Sequence, residues 1–454
     1  MHIRQFNAKS VHGFMDFDIT FHGDLTFLTG INGSGKTTVV NAISALLSPS
    51  LLTLVNLDFA SMQLRVTNGD AADIIIGARK EEGKLILSAS VVDEELQVTP
   101  LPLEENEAYL SYRERERIVE YYREFATEHS SHPIMQFYRD LPKPMYLGIE
   151  RRISSYLEPE ERHLRSFRRH PPRLPTGPLD VGLFQAVDIA EMSYRRLQAR
   201  HRELTDTLRT QLLLNALTYE EVDKPRPFKL PRITDEEIAE KVNLTRQALQ
   251  RLGVPPEEVA AHLQPFFNKL SSLSNLLEEA HTPEEILQGD DQDRKQALTE
   301  WLINYPQYER ISKIIDYVED FVNQSREVNT PIDRYLAIVN NFLADSHKSL
   351  RFDETGSLTV RFRDQEEIPI ESLSSGESQV VVIITQLSFS PAAQRANVFI
   401  VDEPELSLHV RWQELFVSSI REANKDLQLI LATHSPSIIL DNTEKCVDLS
   451  EAPS

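Results

Sequence analysis

Cysteine is almost absent from this chain of 454 residues. The single Cys446 has no partner for an internal disulfide bond, and it excludes both a cysteine-based zinc site and a CxxC redox motif. Such sparing use of cysteine is typical of proteins in a reducing compartment, so we expect a cytoplasmic protein.

Long apolar runs and an excess of positive charge are also missing. No apolar stretch approaches the roughly 20 residues that a membrane-spanning helix needs, and the N-terminal segment lacks the apolar region of a signal peptide. Lys and Arg number 48 against 70 Asp and Glu, which gives a formal net charge of −22. We therefore expect no membrane association, and we exclude a protein that simply coats nucleic acid.

The residue patterns predict one α/β core interrupted by helices. Strand-like segments dominate the first 100 residues, with one early helix, and helical periodicity dominates the middle of the chain. No heptad pattern persists beyond about three repeats, so a long coiled-coil arm is not expected. From residue 373 helix and strand alternate, which is typical of a parallel sheet. The predicted halves of the core are residues 1–180 and 349–454, and the helical insertion is residues 181–348.

The segment GINGSGKT, residues 30–37, matches the phosphate-binding pattern G-x-x-x-x-G-K-[ST] at every fixed position. A predicted strand precedes it and a predicted helix follows, so its backbone N–H groups would form a nest for nucleotide phosphates. Lys36 is expected to reach the β- and γ-phosphates and act in catalysis, and the Thr37 hydroxyl to ligate Mg²⁺. The predicted nucleotide contacts are Asn32, Gly33, Ser34, Gly35, Lys36, Thr37 and Thr38.

Two later segments each place polar residues at the end of an apolar strand. In VFIVDEPELSLH the strand carries Asp402 to its carboxyl end, where nucleotide sites of α/β sheets lie. We expect Asp402 to hold Mg²⁺ and Glu403 to polarise the attacking water. In LATHSP, His434 is expected to contact the γ-phosphate or that water, because its strand follows by one helix. Either segment alone is also explained as an ordinary strand end.

The segment LSSGESQ, residues 373–379, predicts a helix start rich in small polar residues. Free backbone N–H groups and the hydroxyls of Ser374 and Ser375 could bind an anion there. A plain helix N-cap explains the segment equally well on its own. Because residues 30–38 already surround one side of a nucleotide, we expect this helix to close on ATP held by a second copy of the chain.

GINGSGKT, LSSGE, VFIVDEP and THS, in this order, resemble the Walker A, signature, Walker B and switch-histidine motifs of ABC-type ATPases. The helical insertion is similar to the branch that contains SMC proteins, RecF and the OLD-family ATPases. The ending EPELSLHVRWQ most resembles bacterial anti-phage defence ATPases, namely the PtuA-like proteins of Septu systems, OLD proteins and retron-linked ATPases. The resemblance implies an α/β ABC-ATPase head: a mixed, mainly parallel sheet with the P-loop, an antiparallel β subdomain, and a helical insertion between the Walker A and signature halves.

In that family two heads pair head to tail around two ATP molecules. The resemblance therefore implies ATP and Mg²⁺ as cofactors, ATP hydrolysis, and a homo-oligomer that is a dimer or a multiple of dimers. It also implies that the signature of one head contacts the ATP of the other, through Ser374, Ser375, Gly376 and Glu377.

The chain departs from the family in three places. Ser375 replaces the usual first glycine of the signature, and Glu377 replaces a common glutamine. The segment PMYLGIERR, where the glutamine loop should fall, offers Glu150 and Arg151 instead, which leaves the rate of hydrolysis open. The usual D-loop is replaced by ELSLH.

The resemblance to Septu systems implies a nuclease partner in trans, of the HNH type and similar to PtuB. We expect no nuclease activity from the chain itself, because it has no HNH-like cluster and only about twenty residues follow His434. The arginine-rich residues 161–173 could contact DNA or form a solvated helix end. A slowly hydrolysing or non-hydrolysing nucleotide-gated scaffold and a DNA-repair ATPase of the RecF or SMC kind are the alternatives.

Overall fold

The structure is a computed structural model, and it describes residues 1–67, 72–101, 112–148, 153–154, 178–217, 255–277, 283–363 and 366–450, with four positions between 236 and 243. The chain divides into two units, Met1–Ser193 with Arg334–Ser454, and Tyr194–Asp333. Among the described residues, no helix combines the length and apolar character that crossing a membrane requires.

An antiparallel sheet is formed by six strands from the first hundred residues. Its strands alternate buried and exposed side chains, as in β4, where Leu64 is buried between the exposed Gln63 and Arg65. That alternation is what a sheet with one face on the core produces. The order is β2-β1-β4-β5-β6-β7, with bounds β1 His2–Val11, β2 Met15–Thr20, β4 Ser61–Thr67, β5 Ile74–Glu81, β6 Lys84–Ala89 and β7 Val92–Val98.

A second, mainly parallel sheet joins the beginning and the end of the chain. Its central strands are buried along their whole length, which is expected when helices cover both faces. The order is β15-β3-β14-β13-β8-β9, and only β9 is antiparallel to its neighbour. The bounds are β3 Leu25–Thr29, β8 Met145–Leu147, β9 Ile153–Ser154, β13 Val398–Asp402, β14 Gln428–Ala432 and β15 Cys446–Asp448. A small antiparallel sheet consists of β10 Lys348–Phe352, β11 Leu358–Phe362 and β12 Glu366–Ile368.

The helices account for most of the remaining described residues. In chain order they are α1 Lys36–Leu47, α2 Leu51–Asn56, α3 Tyr112–Glu128, α4 Pro133–Asp140, α5 Pro178–Leu217, α6 Pro256–Leu276, α7 Pro283–Gln288, α8 Gln292–Leu343, α9 Ser375–Phe389, α10 Pro391–Ala396, α11 Val410–Ala423 and α12 Pro436–Ile439.

The two faces of the parallel sheet bury different helices. Ile400 and Ile430 belong to the core cluster that contains α1 and the antiparallel sheet. Their neighbours Val401 and Leu431 belong to the cluster that contains α9 and α11. Because successive strand residues point to opposite faces, α1 and α9 cover opposite faces of the sheet.

The predicted fold class is confirmed: a P-loop parallel sheet, an antiparallel β subdomain and an intervening helical stretch are all present. The prediction of a single early helix is wrong. The side chain of Ser50 accepts a hydrogen bond from the Thr53 N–H and starts α2 directly after α1.

Helices α5 and α8 are 40 and 52 residues long, longer than the sequence pattern indicates. In the Tyr194–Asp333 unit they pack through a short apolar cluster that contains Leu208, Val318 and Phe321. Helix α8 continues through Pro306 and Pro331, although each proline removes one backbone donor from the helix.

Candidate nucleotide-binding site

The loop of residues 30–37 leaves β3 and ends at the first turn of α1. Gly33 and Gly35 have φ values of 90° and 89°, in the left-handed region that favours glycine. A Cβ atom on Gly35 would lie 2.7 Å from the ring of Phe17, so this position also needs glycine for space. The loop is therefore held in one backbone conformation by its own sequence.

Lys36 is buried and folds back over this loop. Its Nζ donates to the carbonyl oxygens of Gly30 at 2.9 Å and Ile31 at 3.3 Å. The hydroxyl of Ser34 is buried and has no hydrogen-bond partner among the described residues. The loop thus presents an ammonium group and an unused hydroxyl, the types of donor that a phosphate requires.

Of the other predicted contacts in the loop, Asn32 and Gly33 are exposed and Thr37 and Thr38 are half-buried. The Thr38 hydroxyl lies 3.5 Å from Nε2 of His12. Their contact with nucleotide stays a prediction.

Asp402 lies at the carboxyl end of β13 and is only 2% exposed. Within the described part of the chain, neither oxygen of its carboxylate lies within hydrogen-bonding distance and angle of a donor. Burial raises the pKa of Asp402 to about 6, although the nearby Thr37 hydroxyl opposes the rise and the Glu403 charge adds to it. A buried carboxylate without partners is unfavourable unless a cation meets it.

These residues fit Mg²⁺, which prefers oxygen ligands and binds through one or two protein groups plus phosphates. Asp402 and the neighbouring Thr37 hydroxyl are the groups that would hold it.

Tyr146 on β8 also faces this end of the sheet. Its hydroxyl donates to Oδ1 of Asn41 on α1 at 2.7 Å, and burial together with the charge of Asp402 raises its pKa. The sequence reasoning missed Tyr146 and Asn41, since only folding brings β8 beside β13.

Glu403 follows Asp402 in a left-handed backbone conformation, with φ 50° and ψ 55°. Few residues other than glycine adopt this region, and such strain concentrates at functional sites. Its N–H donates to the carbonyl oxygen of Ala432 at the end of β14, at 2.9 Å. The backbone of Glu403 therefore links the carboxyl end of β13 to that of β14.

His434 lies beside Glu403, as the order of the strands requires. Its Nδ1 is 3.0 Å from a carboxylate oxygen of Glu403 and 3.0 Å from one of Glu405. The imidazole is about half exposed, whereas both carboxylates are largely buried. The structure thus brings together two predicted site residues and one that the sequence reasoning missed, Glu405. The sequence signal that could have identified Glu405 is the second glutamate of EPE, two residues after Glu403. The three residues offer atoms within 4.8 Å of one another, a spacing that could hold a cation.

The signature segment starts α9 with a reciprocal cap. The Ser374 hydroxyl accepts from the Glu377 N–H at 3.4 Å, and the Glu377 carboxylate accepts from the Ser374 N–H at 2.6 Å. Lys348 donates to the same carboxylate at 2.8 Å. Burial by itself would raise the pKa of Glu377, but the hydrogen bonds from Lys348 and Ser374 outweigh it, so its pKa lies below the ordinary value.

These contacts leave the serines, not Glu377, available to a ligand. Ser374 and Ser375 are exposed and Gly376 is half-buried, while Glu377 is only 3% exposed. No described hydrogen bond joins this segment to the loop of residues 30–37 or to Asp402. The predicted contact of Glu377 with ATP stays a prediction, and its carboxylate is already satisfied within the chain.

The remaining predicted residues, Glu150, Arg151 and the arginine-rich residues 161–173, lie outside the described residues.

Comparison with known proteins gives two family matches. Residues 220–441 match the family described as "AAA domain, putative AbiEii toxin, Type IV TA system". Residues 2–58 match the "P-loop containing region of AAA domain". The second match includes the glycine loop, and the first includes the signature segment, Asp402 and His434.

A relative from Vibrio cholerae serotype O1 biovar El Tor, the Retron Vc95 probable ATPase, is 22% identical over 156 residues. The match spans 30% of this chain and 30% of the relative. An Smc head domain from Pyrococcus furiosus, solved with the C-terminal domain of ScpA, has a TM-score of 0.38 at 12% identity and covers 98% of this chain and 93% of its own. One from Pyrococcus yayanosii has a TM-score of 0.37 at 14% identity, with 98% and 94% covered.

The two family matches describe AAA and P-loop domains, the retron relative is named a probable ATPase, and the geometry of the glycine loop agrees with a P-loop nucleotide site.

Proposed function

We propose that this chain binds and hydrolyses ATP with Mg²⁺, pairs head to tail with a second copy around the nucleotides, and controls a separate nuclease in anti-phage defence. The observation that supports ATP binding and hydrolysis is that three motifs meet at the carboxyl ends of three neighbouring strands. The glycine loop follows β3, Asp402 ends β13 and Glu403 comes directly after it, and His434 follows β14, which lies between those two strands.

Each residue has a role that its surroundings allow. Lys36 would exchange its loop carbonyls for the β- and γ-phosphates. Asp402 and Thr37 would hold Mg²⁺, which when bound offsets the charge of the phosphates. Glu403 would orient the attacking water and accept its proton, and His434 would donate a hydrogen bond at the γ-phosphate.

The pairing of two copies is supported by the opposite placement of α1 and α9 on the parallel sheet. The start of α9 presents the exposed hydroxyls of Ser374 and Ser375, and α9 covers the face of the sheet opposite to α1, the helix that follows the glycine loop. A second copy, turned head to tail, would bring these hydroxyls to the ATP that the first copy holds.

The defence role is supported by the retron relative and by the toxin named in the matched family's description. The nuclease is proposed to be an HNH-type, PtuB-like protein. Expression of the chain with and without the product of a neighbouring gene tests this proposal: DNA cleavage is expected only when both proteins are present. Metal-dependent DNA cleavage by the purified chain alone would contradict it.

The substitution Glu403→Gln tests hydrolysis. It keeps the size of the side chain but removes the base, so we expect turnover to fall by about 100-fold or more while ATP binding persists. Glu414→Gln, at an exposed position on α11, is the matched control and should retain turnover. Equal turnover in the two variants would contradict the role of Glu403.

One observation favours a second candidate, the nucleotide-gated scaffold. Glu403 is already engaged by Nδ1 of His434 at 3.0 Å, and a carboxylate held in this way would not be free to activate water. A scaffold would associate on binding ATP with no steady-state turnover. Turnover by the wild-type chain that depends on Glu403 excludes this candidate.

A further inference from the structure

We propose that Glu405 is a positioning residue of this site, which holds the segment after β14 and keeps His434 oriented when Glu403 turns to the attacking water. The catalytic consequence rests on the proposed ATPase function. The positioning itself rests on contacts within the chain and can be tested without turnover.

The carboxylate of Glu405 accepts hydrogen bonds from the segment that contains His434. Both of its carboxylate oxygens lie 2.8 Å from the hydroxyl of Thr433. One of them also accepts from the backbone N–H of His434 at 2.9 Å. The Glu405 side chain is only 8% exposed. A buried carboxylate that accepts several hydrogen bonds fixes the groups that donate to it, because each donor would lose its partner if the segment moved.

A polar network anchors the same segment to helix α11. The Ser435 N–H donates to the Thr433 hydroxyl at 3.0 Å, and the Ser435 hydroxyl donates to Oε1 of Gln413 at 2.7 Å. The amide group of Gln413 donates to the carbonyl oxygen of Leu408 at 2.9 Å. The carboxylate of Glu405 joins this network through the Thr433 hydroxyl, and it connects the turn after Asp402 with the turn after β14.

Two carboxylates share one nitrogen of the imidazole. Nδ1 of His434 lies 3.0 Å from an oxygen of Glu403 and of Glu405. Because carboxylate oxygens accept hydrogen bonds, Nδ1 carries the hydrogen, and Nε2 is left to meet a ligand. If Glu403 leaves to orient water, Glu405 still holds Nδ1. Glu403 can therefore orient the water while Glu405 holds the imidazole of His434, two tasks that one carboxylate could not perform at once.

Turnover of Glu405→Ala, Glu405→Gln and the exposed control Glu414→Ala tests the catalytic consequence. Glu405→Ala removes every acceptor, so we expect kcat to fall about 10- to 100-fold with KM for ATP changed less than about twofold. Glu405→Gln keeps one oxygen acceptor for Thr433 and the His434 N–H, so it should recover part of this loss. A kcat of Glu405→Ala equal to that of Glu414→Ala, or a loss confined to KM, would overturn the proposal.

Amide hydrogen exchange of the full-length variants, measured without nucleotide, tests the positioning role of Glu405 independently of turnover. The backbone N–H of His434 donates to Glu405, so its exchange should become at least about tenfold faster in Glu405→Ala than in Glu414→Ala, with the core strands unchanged. Unchanged exchange at residues 433–435 would overturn the positioning role even if turnover falls. Faster exchange in a protein without turnover would instead support the positioning role and contradict the proposed ATPase function.

Discussion

Two buried carboxylates in this protein have opposite surroundings. Asp402 is 2% exposed, has no hydrogen-bond partner in the described chain, and has a pKa raised to about 6. Glu377 is 3% exposed, receives hydrogen bonds from Ser374 and Lys348, and has a lowered pKa. A buried carboxylate whose hydrogen bonds the chain supplies is tied to its own element and is costly to disrupt, whereas one without such partners is unfavourable until a cation or ligand meets it. Burial alone therefore does not mark a site; the missing partner does.

The largest effect is expected from Asp402→Ala. This change removes the carboxylate proposed to hold Mg²⁺, so Mg²⁺-dependent turnover should fall about 1,000-fold while the nucleotide-free fold persists. Titration of turnover against Mg²⁺ measures the effect, with Asp426→Ala, at an exposed position, as the control. If both variants turn over ATP like the wild type, the unsatisfied carboxylate is not a ligand position.

Glu377→Gln should damage stability instead of metal dependence. It removes the charge that pairs with Lys348, so the free energy of unfolding should fall by about 3 kcal/mol. Urea unfolding without nucleotide measures this loss, and Glu371→Gln, at an exposed position in the turn that precedes α9, provides the comparison. A change below about 0.5 kcal/mol would mean that the ion pair contributes little.

Ser374→Ala tests the other half of the same cap with a smaller effect. Loss of the hydroxyl that accepts from the Glu377 N–H should lower the free energy of unfolding by about 1 kcal/mol. Ser375→Ala, one residue further on, makes no such contact and should be neutral. Equal losses in the two variants would show that the cap is not the cause.

The smallest effect concerns pH. The pKa of Asp402 is higher in the folded chain than its ordinary value of 3.8, so the cost of burying its charge appears as pH rises through 3.8 to about 6 and is absent below that range. Asp402→Asn should therefore be more favourable to the stability of the nucleotide-free protein at pH 7.5 than at pH 4, because it removes a buried charge only at the higher pH, whereas the amide lacks partners at both pH values. Unfolding curves at both pH values measure it. A stabilisation that does not change with pH would contradict the raised pKa.

Glu377 should show the opposite dependence. Its pKa is lower in the folded chain than the ordinary value of 4.5, so its contribution is present above that pH and is lost as pH falls through the folded value. The loss of stability in Glu377→Gln should accordingly shrink in acid. The opposite signs for the two residues separate the ligand position from the structural one.

The local features were predictable from the sequence, and the long-range partners were not. The glycine loop, Asp402 and His434 each lie at or just after the carboxyl end of a strand whose apolar run is continuous in the sequence. Glu405 and Tyr146 escaped notice because their partners lie on other elements. Gln428 illustrates the same limit, since its side chain pairs with both the N–H and the carbonyl of Ile3, 425 residues away.

Element lengths also depend on tertiary contacts. Helix α8 passes through Pro306 and Pro331, and local propensity alone favours a break at such positions. Its buried Trp301 and Tyr335, on either side of these prolines, pack in separate apolar clusters. Packing of this kind offsets the missing hydrogen bonds and is invisible to periodicity.

The central proposal is that one chain's glycine loop and another chain's signature complete a single site. Mixing two inactive variants, Lys36→Ala and Ser374→Arg, tests it most directly, because a mixed dimer would pair the intact glycine loop of one chain with the intact signature of the other. Roughly a quarter of wild-type turnover is expected in an equal mixture, since half of the dimers are mixed and each holds one intact site of two. Turnover in the mixture no greater than that of the two variants measured separately would contradict a site shared between chains.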